Sequence, residues 1–349
     1  MNPQEPVSSS SAAPDRPRVL VTRALPDGVA GALAERFAVD VYEGPRAMPR
    51  DEFLRRSGGA EGILALLTER IDDELLDAAG PQLVIVANYA VGFDNVDVPA
   101  CTGRGVMVSN TPDVLTETTA DMAWALMLAA ARRVGEGERL LRSGDAWIWD
   151  PRMMLGVDVH GKTLGLVGFG RIGRAMAPRA AGFGMRVLYH SAHRAPADVE
   201  TGLGVEWRAE LGDLLAEADF VSLHVSLNDS TRHLIDAARL ATMKPTAVLV
   251  NTTRGPVVDE AALAACLASG GIFAAGLDVF EREPEVHPTL RSLDNCVIVP
   301  HLGSATVDTR LAMGMVAAEN VIAALSGRRP PTLVNEQVWE AANRRRPRG

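Results

Sequence analysis

Three side chains able to grip a carboxylate and move a proton lie in the last third of this 349-residue chain: Arg254, Glu283 and His301. Each stands just past an apolar run. Arg254 closes Asn251-Thr252-Thr253-Arg254, Glu283 follows Gly276-Leu277-Asp278-Val279, and His301 sits in Pro300-His301-Leu302-Gly303-Ser304. An arginine offers a planar fork for a carboxylate. A histidine changes charge near neutral pH, and a glutamate beside it favours the imidazolium and holds one ring nitrogen, so a proton donor stays at hand. A fourth stretch, Asn88-Tyr89-Ala90-Val91-Gly92-Phe93-Asp94-Asn95, is a glycine-containing loop after a strand-like run, and its Val91 and Gly92 amides could hold an anion. Singly, each has an ordinary reading: Arg254 as a surface ion-pair partner, Glu283 as a loop charge, His301 as a cap. The other six histidines (His160, His190, His193, His224, His233, His287) lack such company and are expected to be structural or solvated.

Hydride transfer to a 2-keto acid would use such a set. The carboxylate must be anchored and the keto oxygen polarised, for which Arg254 and the Val91 and Gly92 amides qualify. A proton must reach the developing alkoxide, for which His301 qualifies. The hydride donor must then be presented, and Thr163–Gly173 supplies its holder: an apolar strand running into Gly168-x-Gly170-x-x-Gly173 and then a helix-compatible run. Gly168 suits a tight turn, Gly170 lets backbone approach a pyrophosphate, and Gly173 lets helix pack on strand, with phosphate charge at the helix N-terminus. The ordinary alternative is a strand–turn–helix without a ligand.

The elements that must position these residues alternate. Short apolar runs at Arg18–Thr22, Ala38–Tyr42, Gly62–Leu66, Leu83–Ala87 and Val106–Ser109 are separated by helical segments at Val29–Phe37, Asp72–Ala79 and Val96–Arg104. After the glycines come strands at Arg186–Tyr189, Phe220–His224, Ala247–Asn251, Ala274–Asp278 and Val297–Val299, with helices at Leu211–Ala218, Asp259–Ser269 and Thr306–Leu325. Such alternation implies α/β architecture: two Rossmann-like, doubly wound parallel sheets with helices on both faces. The long last helix could return to the first unit. The expected division is therefore a flavodoxin-like substrate domain over 18–115 and 303–335, a dinucleotide-binding domain over 116–302, a disordered lead over 1–17 and a tail over 336–349. Thr116–Val134 is apolar nearly all round between charged ends, as a helix buried on every side would be. Arg139–Met154, with Trp147 and Trp149, reads as a loop or arm that crosses to a second subunit.

Composition bounds the class. A net charge of −9 without a basic stripe argues against nucleic acid, and the Arg344, Arg345, Arg346 and Arg348 cluster reads as a solvated end. Three scattered cysteines give neither a disulfide framework nor a metal signature, as expected for a reducing cytoplasm. The chain lacks a run of about 18 apolar residues, so no membrane span is expected, and its first residues lack the apolar segment of a signal peptide.

From about Arg18 to Asn335 the chain resembles the D-isomer-specific 2-hydroxyacid dehydrogenase family, closest to its glyoxylate/hydroxypyruvate reductase branch. The resemblance is carried, in order, by Asn88–Asp97, Asn110–Thr116, Gly161–Gly165, Gly168–Gly173, Met243–Pro245, Asn251–Pro256, Gly276–Phe280 and Pro300–Thr306. It implies Arg254 as the substrate-binding arginine, Glu283 as the partner of His301, His301 as acid and base, Asp278 beside the nicotinamide carboxamide, and Val91 and Gly92 as carboxylate-binding amides. It also implies a homodimer built around Thr116–Val134 and a cleft that closes. The cofactor contacts expected on this basis are Gly168, Gly170, Arg171, Ile172, Gly173, Ser191, His193, Arg194, His224, Val225, Thr231, Thr252, Thr253, Asp278 and Gly303, with no metal.

Two positions depart from the family pattern. Ser226 in His224-Val225-Ser226 replaces a usual proline and should loosen that turn. Thr253 replaces a usual alanine and adds a hydroxyl near Arg254. Cofactor choice follows from the end of the second strand of the dinucleotide domain, where an NAD site wants an acid. Here Tyr189-His190-Ser191-Ala192-His193-Arg194 offers none before Asp198, whereas Ser191 and Arg194, assisted by His193, could hold a 2′-phosphate. NADPH is expected over NADH, with NAD as the alternative. The expectation is a reductase of small 2-keto acids, glyoxylate to glycolate and hydroxypyruvate to D-glycerate. The competing readings are a 3-phosphoglycerate, formate or phosphite dehydrogenase on the same scaffold. The first of these is disfavoured by the short stretch after the last helix. A dinucleotide-sensing binding protein is the reading from another class.

Overall fold

The computed structural model describes residues 16–345. The expected disordered lead falls outside the described residues except for Arg16 and Pro17, and so do Arg346 and Arg348 of the basic cluster. Contacts divide the chain into two compact units: one holds the chain up to Pro112 together with everything from Leu311 on, the other Asp113–Arg310.

The first unit is a five-stranded parallel sheet made of β1 (Arg18–Val21), β2 (Ala38–Val41), β3 (Gly62–Ala65), β4 (Ile85–Asn88) and β5 (Met107–Ser109), in the order β2-β1-β3-β4-β5. β3 and β4 are buried at every position, the pattern of a parallel strand covered on both faces. The last stretch of chain returns to this sheet. Ser109 bridges Leu333 antiparallel, and the Val108 amide donates to Asn335 Oδ1 at 2.8 Å.

The second unit is a seven-stranded parallel sheet: β6 (Thr163–Val167), β7 (Arg186–His190), β8 (Val205–Trp207), β9 (Phe220–Leu223), β10 (Val248–Asn251), β11 (Ala274–Leu277) and β12 (Cys296–Ile298). The order β12-β11-β10-β9-β6-β7-β8 makes β6 and β9 neighbours whose following connections run to opposite sides. That is the switch point at which open α/β sheets bind ligands. Phe169 turns inward from the glycine loop and stacks on Tyr189 with ring centroids 4.1 Å apart, which pins the loop to β7.

Some elements differ from the sequence reading. β8 and the helix Ala197–Leu203 before it are additional, as are the helices Arg50–Ser57, Ala237–Leu240, Pro288–Ser292 and Glu336–Arg345. The last of these replaces most of the expected tail, and its Val338 is buried. The helix expected over Thr116–Val134 ends at Ala131, because Arg133 takes a left-handed conformation (φ 53°), and a second helix, Val134–Ser143, occupies the first part of the expected arm. Thr116–Ala131 is buried on one side, through Ala120, Ala123, Trp124 and Met127 among others, while Glu117, Asp121 and Ala125 are exposed. Burial on every side is thus not reached within the chain.

Packing against β11 is close. A Cβ at Gly276 would lie 2.9 Å from Leu126 Cβ and 3.1 Å from the Leu126 carbonyl oxygen. Gly276→Ala is therefore expected to lower unfolding free energy by about 1–3 kcal/mol through overpacking, read as a fall in the thermal midpoint; an unchanged midpoint would contradict this packing.

Candidate active site

The site is built on the carboxyl ends of β6, β9, β10, β11 and β12 in the second unit. Gly168 follows β6 with φ 94°, and a Cβ there would meet the His224 carbonyl oxygen at 2.5 Å, so only glycine fits. A Cβ at Gly173 would meet the Gly168 carbonyl oxygen at 2.3 Å, whereas one at Gly170 would meet nothing within 4 Å. Gly170 thus faces open space at the start of the helix Arg171–Gly182, whose first amides no side chain caps. Free amides and an open glycine at a helix N-terminus are what a pyrophosphate needs.

Two buried polar atoms on neighbouring strand ends lack partners. They are His224 Nδ1 after β9 and Thr252 Oγ1 after β10. A buried polar atom left unpaired is costly, and a dinucleotide lying across these strand ends would offer both atoms hydrogen-bond partners. The residues present therefore fit a nicotinamide dinucleotide. Asp278, after β11, is buried and accepts from the amides of Leu302 and Gly303, the latter at 2.7 Å. Burial pushes its carboxyl up, against those amides and the charge of His301.

His301 follows β12 in a left-handed conformation (φ 53°), with its amide on the Asp278 carbonyl at 2.9 Å. This turn aims the ring at Glu283: His301 Nδ1 lies 2.9 Å from Glu283 Oε2. The other carboxylate oxygen accepts from the Phe280 amide at 3.0 Å. Burial alone would raise Glu283, but the His301 hydrogen bond and charge, the Phe280 amide and the Arg254 charge hold it below its ordinary value. Nδ1 being engaged, His301 Nε2 is the ring atom left to face a reactant. Arg254 starts a tight turn against this loop. A Cβ at Gly255 would lie 1.8 Å from the Phe280 carbonyl carbon, so the two backbones touch. The Thr253 hydroxyl is held by Asn251 Oδ1 at 2.8 Å.

In the first unit, the Asn88–Asn95 loop is tied through its carbonyls. Asn88 Nδ2 donates to the Gly92 oxygen and Asn110 Nδ2 to the Val91 oxygen, both at 2.8 Å. No acceptor for the Val91 or Gly92 amide is found among the described residues, which leaves both available to an anion.

Several expected cofactor contacts have other work. Arg171 pairs with Asp113, both exposed, while Ile172 packs against the core. The Thr231 hydroxyl donates to the Ser226 carbonyl at 2.7 Å and accepts from the Asn228 amide at 2.8 Å, so the turn at Val225-Ser226 is closed and not loosened. Ser191 is half-buried and His193 exposed. Arg194 is engaged by a carboxylate that the sequence reading passed over: Glu200 takes its Nε at 2.9 Å and its Nη2 at 2.8 Å. The Tyr189 hydroxyl donates to the same group at 2.6 Å, and the Arg194 guanidinium lies 5.3 Å from the Trp207 ring. Arg194 and Tyr189 hold the Glu200 carboxyl at about 2. The helix start at Pro196-Ala197-Asp198 and the stop at Gly204 were the signals for this segment. His233 is likewise not without company, since its Nε2 lies 2.9 Å from Glu281 Oε1.

Burial pushes His224 down to about 3 from an ordinary 6.5. Between those values the unfolded chain binds a proton that the folded one excludes, so this group's stability contribution is complete above 6.5 and lost as pH falls through the window. His224→Gln is expected to flatten the loss of urea-midpoint stability between about pH 7 and about pH 5; an unchanged slope would contradict burial of the neutral ring.

A family model described as the NAD-binding domain of D-isomer specific 2-hydroxyacid dehydrogenases matches residues 124–303. The chain is 51% identical over 328 residues to a glyoxylate reductase of Thermococcus onnurineus, covering 93% of this chain and 97% of that one. Among solved structures it is similar to an NADPH-dependent glyoxylate/hydroxypyruvate reductase of Sinorhizobium meliloti in complex with NADP and malonate (TM-score 0.79, 37% identity, 92% and 97% of the two chains). It is also similar to a glyoxylate reductase of Paecilomyes thermophila (TM-score 0.82, 33% identity, 92% and 99%). With the switch-point glycines and the strand-end polar set in place, the chain belongs to the D-isomer specific 2-hydroxyacid dehydrogenases and is a nicotinamide-dinucleotide-dependent enzyme.

Proposed function

We propose that the enzyme reduces small 2-keto acids, glyoxylate to glycolate and hydroxypyruvate to D-glycerate, with NADPH preferred to NADH. The observation that carries the reading is the 2.9 Å contact of His301 Nδ1 with Glu283, beside Arg254, at the edge of a dinucleotide-binding sheet. The bound cofactor supplies the hydride. Arg254 anchors the substrate carboxylate through its fork. Glu283 holds Nδ1 and stabilises the charged ring, so His301 Nε2 donates its proton to the oxygen that becomes the alcohol. In the reverse direction the same atom takes the proton back. The names of the relatives support glyoxylate as substrate.

NADPH preference rests on Arg194. Both Glu200 oxygens are engaged by Arg194 and Tyr189, so Glu200 is not free to bind ribose hydroxyls. The guanidinium, fixed by that pair and by Trp207, keeps Nη1 for a 2′-phosphate, with Ser191 and His193 close in sequence. The S. meliloti relative, described as NADPH-dependent, supports the same choice.

We also propose a homodimer. Trp147, Ile148 and Trp149 are 52%, 85% and 76% exposed, the helix Val134–Ser143 buries none of its residues, and one face of Thr116–Ala131 is open. A second copy covering these surfaces would remove that exposure. Three free cysteines accord with a reducing cytoplasm; among the described residues no helix is long and apolar enough to cross a membrane and no group of potential metal ligands occurs.

A panel of 2-keto acids with each cofactor tests the reading. Glyoxylate and hydroxypyruvate with NADPH should give the highest kcat/KM, and Arg194→Ala should lower the NADPH value about ten- to a hundred-fold while NADH stays within about three-fold. A native preference for NADH, or for bulky acids only, would contradict it.

A further inference from the structure

Beside the Glu283–His301 pair lies a second glutamate–histidine pair, His233 with Glu281, whose glutamate stands on the same loop as Glu283. We infer that His233, through the contact of its Nε2 with Glu281, is a positioning residue that holds the 280–287 loop so that Glu283 stays on His301. The inference rests on the catalytic reading of Glu283 and His301 given above.

The segment carrying His233 is zipped to the chain just beyond Arg254. The His233 amide donates to the Pro256 carbonyl at 2.7 Å, and Ile235 bridges Val258. His233 itself holds φ 49°, the left-handed conformation that is uncommon for non-glycine residues though more frequent for histidine. From there Nε2 reaches Glu281 Oε1 at 2.9 Å. Glu281 is locked in turn to the N-terminus of the helix Glu260–Ala268. The Glu260 amide donates to Glu281 Oε1 at 3.0 Å, and the Glu281 amide donates to Glu260 Oε2 at 2.8 Å. The free oxygen of Glu260 takes the His287 amide at 2.7 Å, so one carboxylate clamps both ends of the loop. Inside that clamp, the Glu285 amide closes a turn on the Arg282 carbonyl at 2.8 Å, and Glu283 is presented to His301.

The contact gives the loop a further support. Glu281 Oε1 is held from two sides, by the Glu260 amide at 3.0 Å and by His233 Nε2 at 2.9 Å. Without His233, the Glu281 carboxylate keeps only the Glu260 amide, and the loop is free to shift Glu283 by the fraction of an ångström that matters for a positioned proton donor. His233 is 44% exposed, so the pair contributes little to folding stability. Its effect belongs in turnover.

The test is a double-mutant cycle read by steady-state turnover of glyoxylate with NADPH, alongside NADPH binding by fluorescence and the thermal midpoint. His233→Ala should lower kcat about ten-fold, with the KM for cofactor and the midpoint little changed. His233→Gln, whose amide reaches the place of Nε2 as a neutral donor, should restore most of that loss. In a Glu283→Gln background His233→Ala should change kcat by less than about two-fold, because the route through Glu283 is already cut. An equal loss in both backgrounds, a native kcat for His233→Ala, or a glutamine variant no better than alanine would overturn the inference. Full activity of Glu283→Gln alone would instead overturn the catalytic reading on which it rests. Should His233→Ala fail to fold, Glu281→Ala, which removes the acceptor of His233 Nε2, is put through the same cycle: kcat should fall about ten-fold in the native background and less than about two-fold in the Glu283→Gln background, and an equal loss in both would overturn the inference.

Discussion

At Gly168 the chain passes so close to the end of β9 that a single methyl would strike the His224 carbonyl at 2.5 Å. That contact sets the distance between β6 and β9 at the point where their connections part. Everything chemical in the second unit is arranged on the crevice so formed. Gly170 looks out of it, the uncapped helix start points into it, and His224 Nδ1 and Thr252 Oγ1 lie unpaired along it. At Gly170 an added Cβ would meet nothing within 4 Å, so bulk there enters the crevice and leaves the packing untouched.

Three strands further along, the same edge handles charge. Asp278 is buried and tied to two amides, which shapes the turn that aims His301. Glu283 then meets His301 from a loop braced on Gly255 and on Glu260. Opposite effects meet on the two carboxyls: burial raises Asp278, while the cations His301 and Arg254 keep Glu283 low despite its burial. A carboxylate kept ionised beside a histidine and an arginine suits proton transfer to an alkoxide formed from an anionic substrate.

Much of this was legible in the residues. The strand runs, the glycine spacing and the Arg254, Glu283 and His301 set lie on local patterns whose physics is short-range, and all three residues do gather on one sheet edge. What escaped depends on contacts far apart in sequence or on single backbone conformations. The break after Ala131 has no glycine or proline at its corner; it comes from Arg133 in a left-handed conformation. β8 is three residues long and carries little periodicity, so Trp207 was not placed under Arg194. Glu200 lies six residues from Arg194 and meets it only because a helical turn folds it back, which replaces a bare arginine by a neutralised pair. His233 and Glu281 are 48 residues apart in the numbering, and no local pattern joins them.

The account stands on His301 as the group that gives and takes the proton while Arg254 and the dinucleotide crevice do the binding. The direct test is His301→Ala, with glyoxylate-dependent NADPH oxidation measured beside NADPH affinity. A fall in kcat of about 10²–10⁴-fold with cofactor affinity within about two-fold of the native enzyme is the predicted result. Turnover at the native rate would contradict it.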